Sequence, residues 1–297
     1  MSTNEHTIGF VGAGVVATSL ALGMSGAGYR VGAVSSRSRA SADALTTLVE
    51  PQPRVHREAQ AVADACDTLF ITTPDDAIAD TAASIEWQPH HRVIHCSGAL
   101  TTDALEGARK AGASVGSFHP LHPFTRGAAS LEGSAVGIEA DGPLAQWLEV
   151  LASDLGCSSM RIRSEDKALY HLSAGFVSSF VVTMLNAATQ VWGSFGIPKD
   201  QAREALLPLL RGAVRNIETV GVPDCLTGPI SRGDVETVRK HLDELGARAP
   251  ALLPAYRELA SLTVPVAQEK GNLDDGSAGE LKRMLEVDRN PASVQTL

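Results

Sequence analysis

Lys167 and His171 stand four residues apart in "SEDKALYHLSAGFVSSF". On a helix starting near Glu165 that spacing sets an amine and an imidazole on one side. Ser178 and, less squarely, Gly175 continue the stripe, and Leu, Val and Phe fill the opposite side. A lysine whose proton affinity is tuned by its surroundings and an imidazole are suitable proton donors for a carbonyl or imine. The same pattern also describes a capped helix with a solvated lysine. His119 and His122, in "GSFHPLHPF", have a ligand-like spacing. Pro120 and Pro123 forbid a regular helix there, and no metal site is expected. His119 at a strand end fits catalysis or substrate binding, or simply the bracing of a loop backbone; His122 is read as structural. Ser97 and Gly98 end the strand "RVIHCSGAL" and could hold a substrate carboxylate or carbonyl.

These groups need a scaffold that gathers strand ends, and the first half of the chain predicts one. Apolar runs such as "TIGFVGA", "RVGAVSS", "TLFITTP", "RVIHCSG", "ASVGSFHP", "SAVGIEA" and "SSMRIRS" alternate with Ala-rich helical stretches. That is the pattern of a doubly wound, mostly parallel sheet with helices on both faces. From Glu165 onward the strands disappear. Apolar residues such as Leu206, Leu210, Val214 and Ile217 recur at helical spacing, and "FGIP", "VGVP" and "LTGP" punctuate the helices. The expected organisation is an α/β Rossmann domain over residues 1–164 and an all-α C-terminal domain over 165–297.

The first strand runs into "GFVGAGVVATSLA". Gly12, Gly14 and Ala17 form a G-x-G-x-x-A fingerprint between an apolar strand and an Ala/Leu-rich helix. The first glycine serves the tight turn, the second the approach of a phosphate, and the small third residue close helix packing. Ala13, Val15 and Val16 would offer backbone to a pyrophosphate at the helix N-terminus. The second strand ends in Ser36, Arg37 and Ser38, where a carboxylate would bind the 2′-hydroxyl of NAD and repel the extra phosphate of NADP. A guanidinium fork flanked by hydroxyls suits that phosphate, so NADP is the expected cofactor. The alternative is a solvated turn with Ser38 or Ser41 as the next helix's N-cap. Thr73, Pro74 and Ser97, at later strand ends, complete the expected cofactor contacts.

Composition limits the partners. A chain of 297 residues with 44% hydrophobic and 20% charged residues is an ordinary globular one, and a formal charge of −9 argues against nucleic acid. Cys66, Cys96, Cys157 and Cys225 have no paired spacing, which indicates neither zinc nor a disulfide framework. The polar start "MSTNEH" lacks a signal-peptide pattern, and no run reads as apolar enough to span a bilayer. A cytoplasmic protein without membrane partners is expected.

The motifs "GFVGAGVVATSLA", "VSSRS", "HCSGAL", "GSFHPLHPF", "DKALYHLSAGFVSS" and "LTGPISRGDVETVRKHL" together resemble a bacterial family made of a Rossmann-like domain followed by a C-terminal domain of unknown function. The resemblance covers essentially the whole chain. That family is similar to pyrroline-5-carboxylate reductases, ketopantoate reductases, 3-hydroxyisobutyrate dehydrogenases and prephenate dehydrogenases, within the 6-phosphogluconate-dehydrogenase-like group. It implies an NADP-dependent oxidoreductase acting on a small oxo or imino acid, with 2-dehydropantoate the first candidate. Lys167 resembles the lysine that serves several relatives as acid or anchor. His119 resembles the catalytic histidine at the end of the sixth strand in others. Ser178-Ser179 stands where members of the family often carry Ser-Asn. In "LTGPISRGD" the resemblance gives Arg232 a substrate carboxylate as partner, while Asp234 could cap the following helix. Related enzymes pair through the helical domain, and the apolar surface of "SAGFVSSFVVTML" and "EALLPLLRGAV" exceeds what a small domain need bury, so a homodimer is expected. The same fold could also serve a non-catalytic NADP sensor or scaffold.

Overall fold

Thr7–Val11 (β1) is an inner strand of an eight-stranded sheet in a computed structural model that describes residues 6–125, 127 and 130–286. The elements follow in the order Val15–Gly26 (α1), Arg30–Ser35 (β2), Arg39–Thr46 (α2), Arg54–His56 (β3), Ala59–Ala65 (α3), Thr68–Ile71 (β4), Asp75–Ala83 (α4) and Arg92–His95 (β5). Glu106–Lys110 (α5), Ser114–Leu121 (β6), Ala135–Ala140 (β7), Gly142–Asp154 (α6), Ser158–Arg161 (β8) and Lys167–Val177 (α7) complete the first unit. The strand order is β3-β2-β1-β4-β5-β6-β7-β8. Pairing is parallel throughout except between β6 and β7.

The central strands are covered on both faces, which is why "TLFI" in β4 is buried along its whole length, three of its four residues apolar. Phe10 stacks on Phe70, and Phe70 meets Phe118 edge to face, joining β1, β4 and β6 in one core layer beside α1 and α6. The other face packs Val62, Ile78 and Leu105. Strand order reverses between β1 and β4, and in open sheets of this kind ligands bind beyond the carboxyl ends at that point. β3 lies outside the sequence-based expectation: with only "RVH" and no fully buried residue, it carries no alternation to read.

Two compact units divide the chain, Met1–Ser178 and Ser179–Leu297. The second unit is helical, with Ser179–Gly193 (α8), Lys199–Val220 (α9), Val235–Arg248 (α10), Leu253–Glu269 (α11) and Asp275–Leu285 (α12) around a core that includes Val238, Val264 and Leu281. α7 thus stands with the sheet, past the sequence-based cut at residue 164. Two side chains hold it there, Lys167 and Tyr170, through partners on β6 and β7.

One expectation is corrected. The helical run Ser164–Gly193 has an 18-residue window of mean hydropathy 1.5, so by length and composition it could cross a membrane. Nothing in that window is buried. The head of the run, however, belongs to the folded sheet unit, because Lys167 is 2% exposed and bonded to β6.

Candidate active site

The phosphate end of the site follows from backbone geometry. Gly12 has φ +111°, and a Cβ there would lie 2.8 Å from the backbone and hydroxyl of Thr72, so only glycine fits the turn. At Gly14 a Cβ would meet no protein atom within 4 Å. Gly14 caps α1 without a side-chain hydrogen bond, and the first turn carries no acidic residue. The amides at this N-terminus are therefore open to an anion.

A cavity of about 710 Å³ opens from this turn, lined by Gly12, Gly14, Ser36, Arg37, Arg57 and Thr73 among others. Ala13, Val16 and Pro74 also line it. Val15 is the first residue of α1. The Thr73 hydroxyl is buried without a protein hydrogen-bond partner, which fits a ligand that supplies one. No carboxylate pairs with Arg37 among the described residues, and the side chain is exposed at the rim. Ser38 serves the backbone instead, since its hydroxyl accepts from the Ser41 amide at 3.2 Å and caps α2. Arg57, in the turn after β3, escaped the sequence reading; a basic residue after an unrecognised strand gave no signal.

At the other end, His119, His171 and Gly98 come together. The rings of His119 and His171 lie 5.9 Å apart. A Cβ on buried Gly98 would sit 2.6–2.7 Å from both imidazoles, so glycine is what lets them approach this strand end. Burial first, then the His171 and Lys167 charges, push His119 down to about 4, and its imidazole is neutral at physiological pH. His171 is exposed. His122 bonds Ser134 Oγ through Nδ1 at 3.0 Å, a structural contact.

Ser97 and Lys167 are built differently from the sequence expectation. The Ser97 hydroxyl donates to Asp75 Oδ2 at 2.6 Å and accepts from the amides of Ala99 and Leu100. It braces the loop after β5 and has no proton left for a ligand. Lys167 is 2% exposed. Its ammonium donates to Ser117 Oγ at 2.6 Å and to the Ser97 carbonyl at 3.2 Å, and lies 3.5 Å from Glu139 Oε2. Two hydrogen bonds and one ion pair thus engage the ammonium within the protein, away from solvent. Glu139 Oε1 in turn accepts from the Thr102 amide and from the hydroxyls of Thr102 and Ser164. Burial alone would raise the Glu139 carboxyl, but these bonds and Lys167 hold it below the usual range; burial lowers Lys167. Lys167 therefore buttresses the strand ends.

Ser178 ends α7, exposed, with its hydroxyl on the Ala174 carbonyl. Arg232 is an exposed residue of the second unit, in the Ile230–Arg232 turn, and Asp234 caps α10 by accepting from the Thr237 amide at 3.0 Å. Tyr170, which bonds His119 Nδ1 at 2.9 Å, is the principal residue that sequence reasoning missed.

Comparison with known proteins agrees with this architecture. Residues 7–98 match the sequence model described as NADP oxidoreductase, coenzyme F420-dependent, and residues 134–263 match that of a domain of unknown function, DUF2520. No curated protein matches. A candidate NADP oxidoreductase from Bacteroides fragilis is 25% identical, with a TM-score of 0.70 over 89% of this chain and 100% of its own. A 1-pyrroline-5-carboxylate reductase from Streptococcus pyogenes shares the fold at 14% identity, with a TM-score of 0.59 over 95% and 100%. So does a reductive aminase from Aspergillus terreus solved with NADPH and ethyl levulinate, at 14% identity and a TM-score of 0.64 over 94% and 99%. With a Rossmann fingerprint on a mostly parallel sheet and a helical second unit, the chain carries an NADP-oxidoreductase match over residues 7–98 and a DUF2520 match over residues 134–263.

Proposed function

We propose that the chain reduces a small oxo or imino acid with NADPH. The observation that carries this reading is the pairing of a dinucleotide cradle at Gly12–Gly14 with two imidazoles converging over Gly98 at the neighbouring strand ends. NADPH bound in the cradle would supply the hydride. The protein's own part is orientation and proton supply. His119, neutral and partly buried, donates a hydrogen bond to the substrate oxygen or nitrogen, and His171, open to solvent, supplies the proton. Gly98 leaves the room both need. A panel of 2-oxo acids and cyclic imines, with 2-dehydropantoate among them, followed by NADPH absorbance, tests the proposal. Cofactor binding with no turnover on any member would favour a sensor.

Cofactor choice follows from Arg37. With a guanidinium and Ser36 where a carboxylate would repel phosphate, NADPH should bind at least tenfold more tightly than NADH, about 1.4 kcal/mol. Arg37→Ala should remove most of that difference. Calorimetric titration giving equal affinities for the wild-type protein would dismiss the assignment.

Assembly is the second expectation. Phe180 and Val182 of α8 and Leu209, Ile217 and Val220 of α9 are 46%, 68%, 71%, 52% and 58% exposed. Apolar surface of this extent on helices is normally covered, and a second copy of the chain is the proposed cover. Light scattering at micromolar concentration should report twice the 31.1 kDa chain mass; a monomer contradicts the expectation. Cys66, Cys96, Cys157 and Cys225 are all free thiols, which suits the proposed cytoplasmic setting.

A further inference from the structure

The contact between Tyr170 and His119 has no part in the reading above, yet it determines which nitrogen of His119 carries a proton. The phenol oxygen lies 2.9 Å from His119 Nδ1, with the rings edge to face at 5.6 Å. It has one proton to give and two acceptors in reach, Nδ1 at 2.9 Å and the His119 carbonyl at 3.4 Å. On its far side stands Gly137, the cross-strand partner of His119 on β7. A Cβ at Gly137 would overlap the phenol oxygen, so glycine is what admits the tyrosine. Burial pushes the Tyr170 phenol up to about 12, so the phenol keeps its proton and can donate it. The single phenol proton goes to the nearer of the two acceptors, Nδ1. A neutral imidazole that accepts at Nδ1 carries its hydrogen on Nε2. The Nε2 edge is the one that faces Gly98, 2.7 Å from where a Cβ would stand.

We infer that Tyr170 is a positioning residue that locks His119 in the Nε2–H tautomer and presents a neutral imidazole donor at the Gly98 strand end, so the ligand group it would meet is a lone-pair acceptor, a carbonyl oxygen or an imine nitrogen. Only the nature of that acceptor rests on the proposed oxidoreductase activity. The charged and titratable groups facing the ring are His171, Lys167 and Tyr170 from α7, His95 from β5 and Asp75 at the start of α4. Of these, His171, Lys167 and His95 disfavour an imidazolium, and burial outweighs the opposing Asp75. A neutral donor polarises an acceptor without bringing a positive charge into the site.

The test reads nitrogen chemistry directly on the unliganded full chain. With 15N-labelled histidine at pH 7, long-range proton–nitrogen correlation distinguishes a protonated from an unprotonated ring nitrogen, and His119→Asn identifies the His119 signals. The expected spectrum has Nε2 protonated and Nδ1 bare. In Tyr170→Phe the two nitrogens should move toward each other as the tautomers mix. A wild-type spectrum with Nδ1 protonated, or a Tyr170→Phe spectrum with the Nε2–H tautomer still fixed, overturns the inference. Should Tyr170→Phe not fold, 3-fluorotyrosine in place of all three tyrosines keeps the shape and strengthens the donor. The Nδ1 signal of His119 must then shift, and an unmoved signal is equally fatal. Neither substrate nor NADPH enters the measurement, so inactivity on the substrate panel and failure of the tautomer are separate results.

Discussion

Lys167→Met is expected to weaken the first unit by about 3–5 kcal/mol, seen as a lower denaturant midpoint with an unchanged slope. The argument lies in what stays behind. Glu139 Oε2 is buried with no hydrogen bond and only the Lys167 ammonium, at 3.5 Å, to balance it. Removing the ammonium strands a carboxylate in the interior, and the Ser117 hydroxyl and Ser97 carbonyl each lose a partner. Adding Glu139→Gln to Lys167→Met should restore part of the loss. The amide oxygen can still accept from Thr102 and Ser164 without a buried charge, and coupling between contacting residues runs to about 0.5–3 kcal/mol. A lysine that served only as proton donor would give the opposite pattern, with normal stability and slow turnover. Wild-type stability in Lys167→Met would show that the ammonium is solvated and that the buried pair does not form.

Local signals were legible in the sequence, and long-range ones were not. Gly12, Gly14 and Ala17 could be read because strand, turn and helix follow one another within a dozen residues. Gly12 sits in tight contact with Thr72, and a Cβ at Gly14 would meet no protein atom within 4 Å. Lys167 was legible as a polar residue on a helix face, but its fate was set by Ser117 and Glu139, 50 and 28 residues away. A helical repeat cannot say whether an amine points to ligand or to protein. The same limit hid Tyr170, an aromatic residue in an apolar helix, whose partner His119 lies 51 positions earlier. Gly137 was the one local trace, a residue without a side chain in the middle of "SAVGIEA". Ser38 and Arg37 show how adjacent residues divide two expectations, since the serine became the helix cap and the arginine stayed at the cavity rim.

The largest kinetic effect is expected at the imidazoles. In the proposed reaction His171 is the exposed group beside Gly98, and it can recover a proton from solvent after each turnover. His171→Ala should therefore lower kcat by about 10²- to 10⁴-fold, the usual worth of a positioned proton donor. NADPH affinity should barely change, because the proposed phosphate contacts, Gly12–Gly14 and Arg37, line a cavity that His171 does not border. His119→Gln removes an oriented donor from a ring that Tyr170 holds in place. If the hydrogen bond strengthens as charge develops on the substrate, kcat and kcat/KM fall together. If it only anchors the ground state, KM rises while kcat stays. Steady-state kinetics of the two variants, with cofactor titrations alongside, separates these roles. A His171→Ala enzyme with full kcat would transfer proton supply to another group. His119 would then be the remaining candidate, because the Lys167 ammonium is buried and engaged by Ser117, Ser97 and Glu139.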